Sequence, residues 1–409
     1  YMNNYQLYVE YNIRDTEIIN QLEEQLKLLE LVYAIAYDAK INFNDAFSPV
    51  KTWDVIIHNK LFSKKQIVPF MDFDDDGHGI VGGFVKNPVP AMYKWVVSFD
   101  LDSLYPHLIM MYNISPEKYM GKLEDFHVSV DNALEGSYDT IMEYLKEHNL
   151  SITPNGCLWN REGQGFLAEL MESYYSDRKS YKKLMQEEEK LYEATGDIKH
   201  KRLQTQYDMI QLAKKILLNS AYGALCNAYF RWNNSDFGES ITMGGQLSIR
   251  WIERALNDFL NKRLSTNKDY VIAADTDSVY LDLEFLVDRV AKNKTVQEQV
   301  EFLDKSCEQI IRPFISKTYG ELATYVNARE QKMSMKREAI AEKAVWTGKK
   351  HYAMNVWDIE GFRFSTPELK IVGMEAVKSS TPAVCREYIK ESIKIIMDKT
   401  NDDLLDHLE

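Results

Sequence analysis

The sequence predicts an α+β fold with a projecting helical subdomain, and three observations lead there. Strand-like apolar runs at Tyr93–Phe99 and Tyr270–Leu283 lie on both sides of a long, charge-rich helical stretch. That stretch breaks once, at Thr195–Gly196, and resumes to about Ala221, which describes two long helices joined by a tight turn. A hairpin so laced with charge protrudes from a fold instead of forming its core, so it reads as an insertion into one mixed domain.

The elements follow in chain order. From Thr16 to about Tyr37, Ile18, Ile19, Leu22, Leu26, Leu29 and Val32 keep helical spacing. Asn42 to Pro90 is loop-rich, with Pro49, Pro69, Pro88 and Pro90 and the acidic run Asp72–Asp76. YKWVVSF at Tyr93–Phe99 is a strand that delivers the chain to Asp100. The hairpin begins near Phe166, a further helix is expected over Gly244–Leu264, and a strand–turn–strand follows at Tyr270–Leu283. From Met333 to Val356 basic and apolar residues alternate.

At 409 residues, with 45% hydrophobic and 27% charged, the chain can bury the cores of two to four ordinary globular domains. The net charge of −13 counts against a nucleic-acid partner, which normally meets a basic face. Cys157, Cys226, Cys307 and Cys385 form no C-x-x-C, so a zinc site or a disulfide framework is not expected. No run approaches the roughly 18 apolar residues of a membrane span. The chain opens on Tyr1 and stops after Leu404 in an amphipathic stretch without a stop signal, so a fragment at both ends is expected.

Two acidic constellations carry chemistry. Asp100-Leu101-Asp102-Ser103-Leu104-Tyr105-Pro106 ends a strand, and Ala274-Asp275-Thr276-Asp277-Ser278 occupies a tight turn between VIAA and VYLDL. One aspartate at a strand end is ordinarily a turn or cap residue. Two such sites together form an all-oxygen set suited to Mg²⁺, which takes few carboxylates and lets substrate phosphates supply the rest. On the second hairpin helix Lys215, Asn219 and Tyr222 are spaced to share one face, and Arg178 and Lys182 form a basic stripe on the first. Such stripes are commonly solvated faces, and Glu187–Glu189 follow directly; beside a metal site they would instead grip a polyphosphate.

These residues carry a resemblance. D-L-D-S-L-Y-P at Asp100–Pro106 resembles motif A of family B DNA polymerases, K-K-I-L-L-N-S-A-Y-G at Lys214–Gly223 motif B, and A-D-T-D-S motif C. They stand in the family's order. R-E-A-I-A, W-T-G-K-K-H-Y-A-M-N-V-W-D and L-K-I-V-G-M-E-A-V-K-S-S-T-P are similar to the T4-type bacteriophage group, so the resemblance covers nearly the whole chain. It implies a right-hand fold with a mixed palm, an antiparallel sheet and inserted helical-hairpin fingers. The implied ranges are an exonuclease remnant at 1–40, a connection at 41–75, palm at 76–165, fingers at 166–226, palm again at 227–372 and the start of a thumb at 373–409.

The resemblance also implies roles. Asp100 and Asp277 match the metal-binding aspartates, with the Leu101 carbonyl as a further ligand, Asp275 the accessory carboxylate and Glu338 another nearby acid. Arg178, Lys182 and Lys215 match residues that hold the incoming dNTP; Asn219 and Tyr222 line the nascent pair, beside Ser103, Leu104 and Tyr105. The Tyr105 ring would collide with a ribose 2′-hydroxyl. Lys349, Lys350 and Tyr352 resemble a primer-terminus motif that touches the DNA duplex. Two Mg²⁺ ions are implied, with Mn²⁺ as the alternative. The implied partners are primer-template DNA, dNTPs, and the sliding clamp and single-stranded-DNA-binding protein of a replisome, in the cytoplasm of an infected bacterium and without a membrane.

The sequence departs from the pattern in places. His351 replaces an arginine, Asp102 adds a carboxylate, His107 follows Pro106 where serine is usual, and Ile80 stands for the tyrosine of a Y-x-G-G linker at Gly82-Gly83. Tyr11 and Asp15 resemble the third exonuclease motif, whose partner carboxylates are expected upstream, so no proofreading is expected from this chain. Asp72–Gly77 looks like the start of a calcium loop, but its twelfth position is Gly83, not a bidentate acid. Competing readings are a catalytically silent DNA-binding piece of a split polymerase and a protein-primed polymerase; for the latter no insertion is evident between motifs A and B.

The charge objection weakens on inspection. Between Lys332 and Tyr352, six cations (332, 336, 337, 343, 349, 350) face two acids (338, 342), a locally basic stretch on an acidic body.

Overall fold

The computed structural model describes residues 4–70, 79–123, 128–399 and 401–408. The acidic run Asp72–Asp76, with the calcium-loop start at Asp72–Gly77, lies outside them. The chain divides into two compact units, one of residues 1–80, 114–117 and 163–238, the other of residues 81–113, 118–162 and 239–409.

The first unit is helical. The periodicity at Thr16–Tyr37 forms two helices, Tyr5–Leu26 and Leu28–Ala39, broken at Lys27, whose φ of 53° is left-handed. The break is stabilised locally, because the Glu23 carboxylate accepts the Leu29 N–H at 3.0 and 3.1 Å and so caps the second helix. Helix Tyr5–Leu26 buries no residue. Helix Pro49–Ser63 starts on a Ser48 cap with Pro49 in its first turn and sends Trp53 into the core, where its indole N–H donates to the Leu217 carbonyl and the Ser220 hydroxyl, both at 3.2 Å. The hairpin is Phe166–Thr195 and Ile198–Leu225. Gly196 takes a left-handed φ of 68°, and the Asp197 side chain accepts from Lys199 N–H to open the second helix.

The hairpin's inner end is held by charge as well as by packing. Lys214 is 5% exposed and lies 2.8 Å from Asp38 and 3.1 Å from Asp177, with its ammonium 4.5 Å from the centre of the Tyr174 ring.

The second unit is built on a six-stranded antiparallel sheet. Its strands are β1 (Ala91–Leu101), β5 (Val271–Asp275), β6 (Ser278–Asp282), β7 (Met335–Gly348), β8 (His351–Ile359) and β9 (Phe362–Val372), in the order β5-β6-β1-β7-β8-β9. A three-stranded sheet holds β2 (Tyr119–Lys122), β3 (Leu150–Ile152) and β4 (Cys157–Asn160), in the order β2-β4-β3. The expected helix at Gly244–Leu264 starts earlier, as Ser235–Leu264. It stacks Trp251 on Tyr325 at 5.2 Å and Phe259 on Phe314 at 4.2 Å, both from helix Arg312–Tyr325. No helix among the described residues is long and apolar enough to cross a membrane.

Candidate active site

The central strands of the second unit bring the acidic constellations together. The VVSF run of β1 and nearly all of β5 and β6 are buried, although β5 is the edge strand of the sheet. β1 pairs antiparallel with β6 so that Phe99 faces Val279 and Asp100 faces Ser278. This register sets the end of β1 beside the β5–β6 turn. Leu101 N–H then donates to the Asp277 carbonyl at 2.8 Å. Within the turn Thr276 is left-handed, with φ 51°, and Asp277 N–H donates to the Asp275 carbonyl at 2.5 Å. The chain before β1 lines the same turn: Thr276 N–H donates to Phe84, and a Cβ at Gly83 would lie 3.1 Å from the Thr276 side chain.

On the other side of β1, Ser98 pairs with Ala339 but Phe99 pairs with Arg337, so Glu338 is an extra residue on β7. Such a bulge re-aims a side chain. Here the Ser98 hydroxyl donates to the Glu338 carboxylate at 3.1 Å.

Five carboxylates therefore gather at this edge of the sheet, and their counter-ions sort them. Asp102 pairs with Lys336 at 3.1 Å, Asp275 with Lys350 at 2.6 Å, and Glu338 with Lys370 at 2.8 Å. Asp100 and Asp277 have no such partner among the described residues. Burial, then the charges of Asp277, Glu338 and Asp102, push the Asp100 carboxyl up to about 7. Asp277 is also held above the usual carboxylate range, chiefly by burial, with Asp275 and Glu338 adding and Lys350 opposing. Two half-buried carboxylates without an ion pair thus stand beside three that have one, with Lys370 and Lys350 acting on the two only through their fields.

A model of DNA polymerase family B matches residues 51–302, more than half of the chain. The chain belongs to DNA polymerase family B. A model of divergent family B polymerases also matches residues 261–406. The chain is 33% identical to the DNA-directed DNA polymerase of Escherichia phage RB69, across 96% of this chain and 48% of that protein. It is 34% identical to the DNA-directed DNA polymerase of Enterobacteria phage T4, across 96% and 49%. DNA polymerase 1 of Pyrococcus abyssi is 29% identical over 49% of this chain. The chain thus spans about half the length of the two phage relatives.

The other residues expected at the site from the sequence take varied positions. Ser103, with left-handed φ 48°, precedes helix Leu104–Tyr112, which carries buried Leu104 and half-buried Tyr105. Helix Ser235–Leu264 approaches closely through Gly245, where a Cβ would lie 3.3 Å from Leu104 and 3.6 Å from the Tyr105 ring. In the first unit, Lys182, Lys215 and Asn219 are exposed and Tyr222 is half-buried. Arg178, Lys182 and Lys215 form no ion pair among the described residues, and the Arg178 Nε is buried without a hydrogen-bond partner.

Lys349 is exposed, and Lys350 sits in the β7–β8 turn with left-handed φ 58°. Tyr352 is buried instead of presented: its hydroxyl is 2.8 Å from that of Tyr280, and its ring stacks on Trp346 at 5.0 Å. His351 is exposed, its Nδ1–H donating to the Lys349 carbonyl. His107 is buried against the Ser103 carbonyl, and burial pushes its ring below the usual histidine range. Ile80 packs against Gly238, whose Cβ would meet it at 2.8 Å.

Tyr11 and Asp15 stand exposed on helix Tyr5–Leu26. No group of three or more His, Cys, Asp and Glu side chains among the described residues forms a ready metal cluster, there or elsewhere. Sequence reasoning missed Lys336 as a partner of Asp102 and Lys370 altogether. Lys370 stands in the L-K-I-V-G block, but no linear signal ties it to a carboxylate two strands away.

Proposed function

We propose that this chain carries out template-directed DNA synthesis, transferring nucleotidyl groups from dNTPs to a primer 3′-hydroxyl. The observation that supports it is the sorting of charge: among the described residues, Asp100 and Asp277 alone of the five clustered carboxylates form no ion pair with a lysine. Their hard oxygens, half-buried and mutually repelling, fit a divalent cation that takes one or two carboxylates and completes its shell from phosphates. Mg²⁺, as two ions with Mn²⁺ as the alternative, would be held by Asp100, Asp277 and the Leu101 carbonyl. When bound it would lower the pKa of the primer hydroxyl and stabilise the leaving pyrophosphate.

The chain's own residues do the rest. Arg178, Lys182 and Lys215, which form no ion pair among the described residues, take the triphosphate. Tyr105, backed by Gly245, forms the floor under the sugar and excludes a 2′-hydroxyl; Ser103 and Leu104 flank it, and Asn219 and Tyr222 line the base pair. Lys349 and Lys350 receive the primer strand, while Tyr352 supports that turn from within the sheet.

In this reading the hairpin is the fingers and the six-stranded sheet the palm of a right hand, with the ranges 1–40, 41–75, 76–165, 166–226, 227–372 and 373–409 as remnant exonuclease, connection, palm, fingers, palm and thumb. Proofreading is not assigned to Tyr11 and Asp15. The reading extends to action in the cytoplasm of an infected bacterium, beside a clamp and a single-stranded-DNA-binding protein; the likeness to two phage DNA polymerases supports the phage setting.

Primer extension with purified chain, Mg²⁺ and dNTPs is the test. Template-dependent products that vanish with Asp277→Asn support the proposal. Binding of primer-template with no extension at any enzyme concentration would instead make the chain a silent DNA-binding piece.

A further inference from the structure

We propose that Lys214 is a positioning residue for the incoming triphosphate: by binding Asp177 across the hairpin it sets Arg178 and Lys215 side by side on one face. The proposal rests on the polymerase reading above, in which Arg178, Lys182 and Lys215 hold the dNTP. Lys214 Nζ lies 2.8 Å from Asp38 and 3.1 Å from Asp177, so it ties together helices Leu28–Ala39, Phe166–Thr195 and Ile198–Leu225. Folding requires only one of the two acids. Lys214 is buried, and Asp38, at the shorter distance and aided by the Tyr174 ring, supplies its counter-charge. The Asp177 side chain is 51% exposed, so water can solvate it and its contact with Lys214 adds little to stability. The second contact acts on geometry instead.

The two hairpin helices run antiparallel across Gly196, and each α-helical residue turns the chain by about 100°. On antiparallel helices, one step toward the C-terminus from a mutual contact swings both side chains to the same side of the pair. From the 177–214 contact that step reaches Arg178 on one helix and Lys215 on the other. Lys182 and Asn219, each four residues further on, extend the same face, and both are exposed. One contact thus sets the register of two helices and with it the spacing of the cations they carry. It also ties the acid next to Arg178 in the chain to Lys214. Other acids of the hairpin have their own partners: Glu169 accepts from Lys60 and Lys64, Glu188 is paired with His200, and Asp208 accepts from Gln211. A polyphosphate is gripped by several cations at once, and cations ordered before it arrives lose less freedom on binding it.

The experiment uses the full chain with Asp177→Ala, Asp177→Asn, Lys214→Met and the double variant of Asp177→Ala with Lys214→Met. Primer extension at saturating primer-template gives KM for dNTP and kcat, fluorescence anisotropy gives primer-template affinity, and melting curves check folding. The expected result is that Asp177→Ala raises KM by about tenfold, although it removes a negative charge beside the cations. Its melting temperature and primer-template affinity match the wild type. Asp177→Asn, which keeps an acceptor oxygen for the ammonium, lies closer to the wild type in KM. Lys214→Met melts lower and raises KM by a similar factor, and the double variant raises it no further. The proposal is overturned if Asp177→Ala lowers KM, which would make the acid a repelling charge and nothing more. It is overturned equally if KM keeps its wild-type value, which would make the bridge purely structural, or if the two increases multiply. A wild-type chain that does not extend primer-template overturns the polymerase reading, and this role with it.

Discussion

Leu101 and Asp277 are joined by one backbone hydrogen bond of 2.8 Å, and that bond sets Asp100 beside the turn at 275–277. The sheet thereby forces two half-buried carboxylates together with no lysine between them. Asp277→Asn removes one of the two. Extension should fall by about a hundredfold or more, while in EDTA the variant should melt higher, by ~2–4 °C for each kcal/mol of relieved repulsion. Calorimetry beside a primer-extension assay reads both signs. A variant that loses stability along with activity would show that the pair is structural.

Tyr105 gains its position from Gly245 beneath it. Tyr105→Ala should open space for a 2′-hydroxyl. The ratio of ribonucleotide to deoxyribonucleotide incorporation, measured from single-turnover rates, should rise by about tenfold or more. No change in that ratio would remove the steric role.

Lys214 is a buried cation between Asp38 and Asp177. Lys214→Met leaves a half-buried Asp38 without its counter-ion and should destabilise the first unit by ~3–5 kcal/mol in urea unfolding. Adding Asp38→Asn should recover part of the loss. Equal stability of Lys214→Met and wild type would contradict the bridge.

Glu169 accepts hydrogen bonds from Lys60 and Lys64 at 2.5 and 2.6 Å, and these hold its carboxyl below the usual range. A depressed folded pKa contributes stability above the unfolded value, near 4.5, and loses it as pH falls through the folded value. The wild type should therefore exceed Glu169→Gln in urea midpoint at pH 7, and the gap should close on acidification. A gap that does not narrow at all as the pH falls below 4.5 would assign the effect to packing.

Much of the fold was legible because it is local. The break at Thr195–Gly196 was marked by glycine, and Gly196 has the left-handed backbone that glycine favours. The burial of β1, β5 and β6 followed from continuous apolar runs. β9 was invisible: Phe362–Val372 carries Pro367, Arg363 and Glu368 on an exposed edge, a composition that does not distinguish a strand from a loop. The division at Lys27 was hidden for another reason. Apolar periodicity ran straight through it, yet helix Tyr5–Leu26 buries none of those residues, and the joint depends on Glu23 capping Leu29.

At the candidate site the acidic residues were legible and their partners were not. D-x-D patterns name carboxylates, but Lys336, Lys350 and Lys370 meet Asp102, Asp275 and Glu338 only through strand pairing and one bulge. Which acids remain uncompensated is a property of the sheet. Tyr352 shows the converse: a motif names the residue, while the fold turns its hydroxyl to Tyr280 and away from solvent.

The crossing of Gly373 over the Lys350 carbonyl constrains how such a chain can change over generations. Residues 350 and 373 lie on different turns, yet a Cβ at 373 would lie 1.9 Å from the Lys350 carbonyl oxygen, so 373 is held to glycine while the backbone at 350 stays as it is. A lineage that acquired any side chain at 373 would first have to reshape the turn at 348–351, and with it the reach of the lysine. Change at 373 must therefore wait on change in that turn, and the neighbouring His351 shares the crossing, because the same Cβ would lie 3.4 Å from its ring.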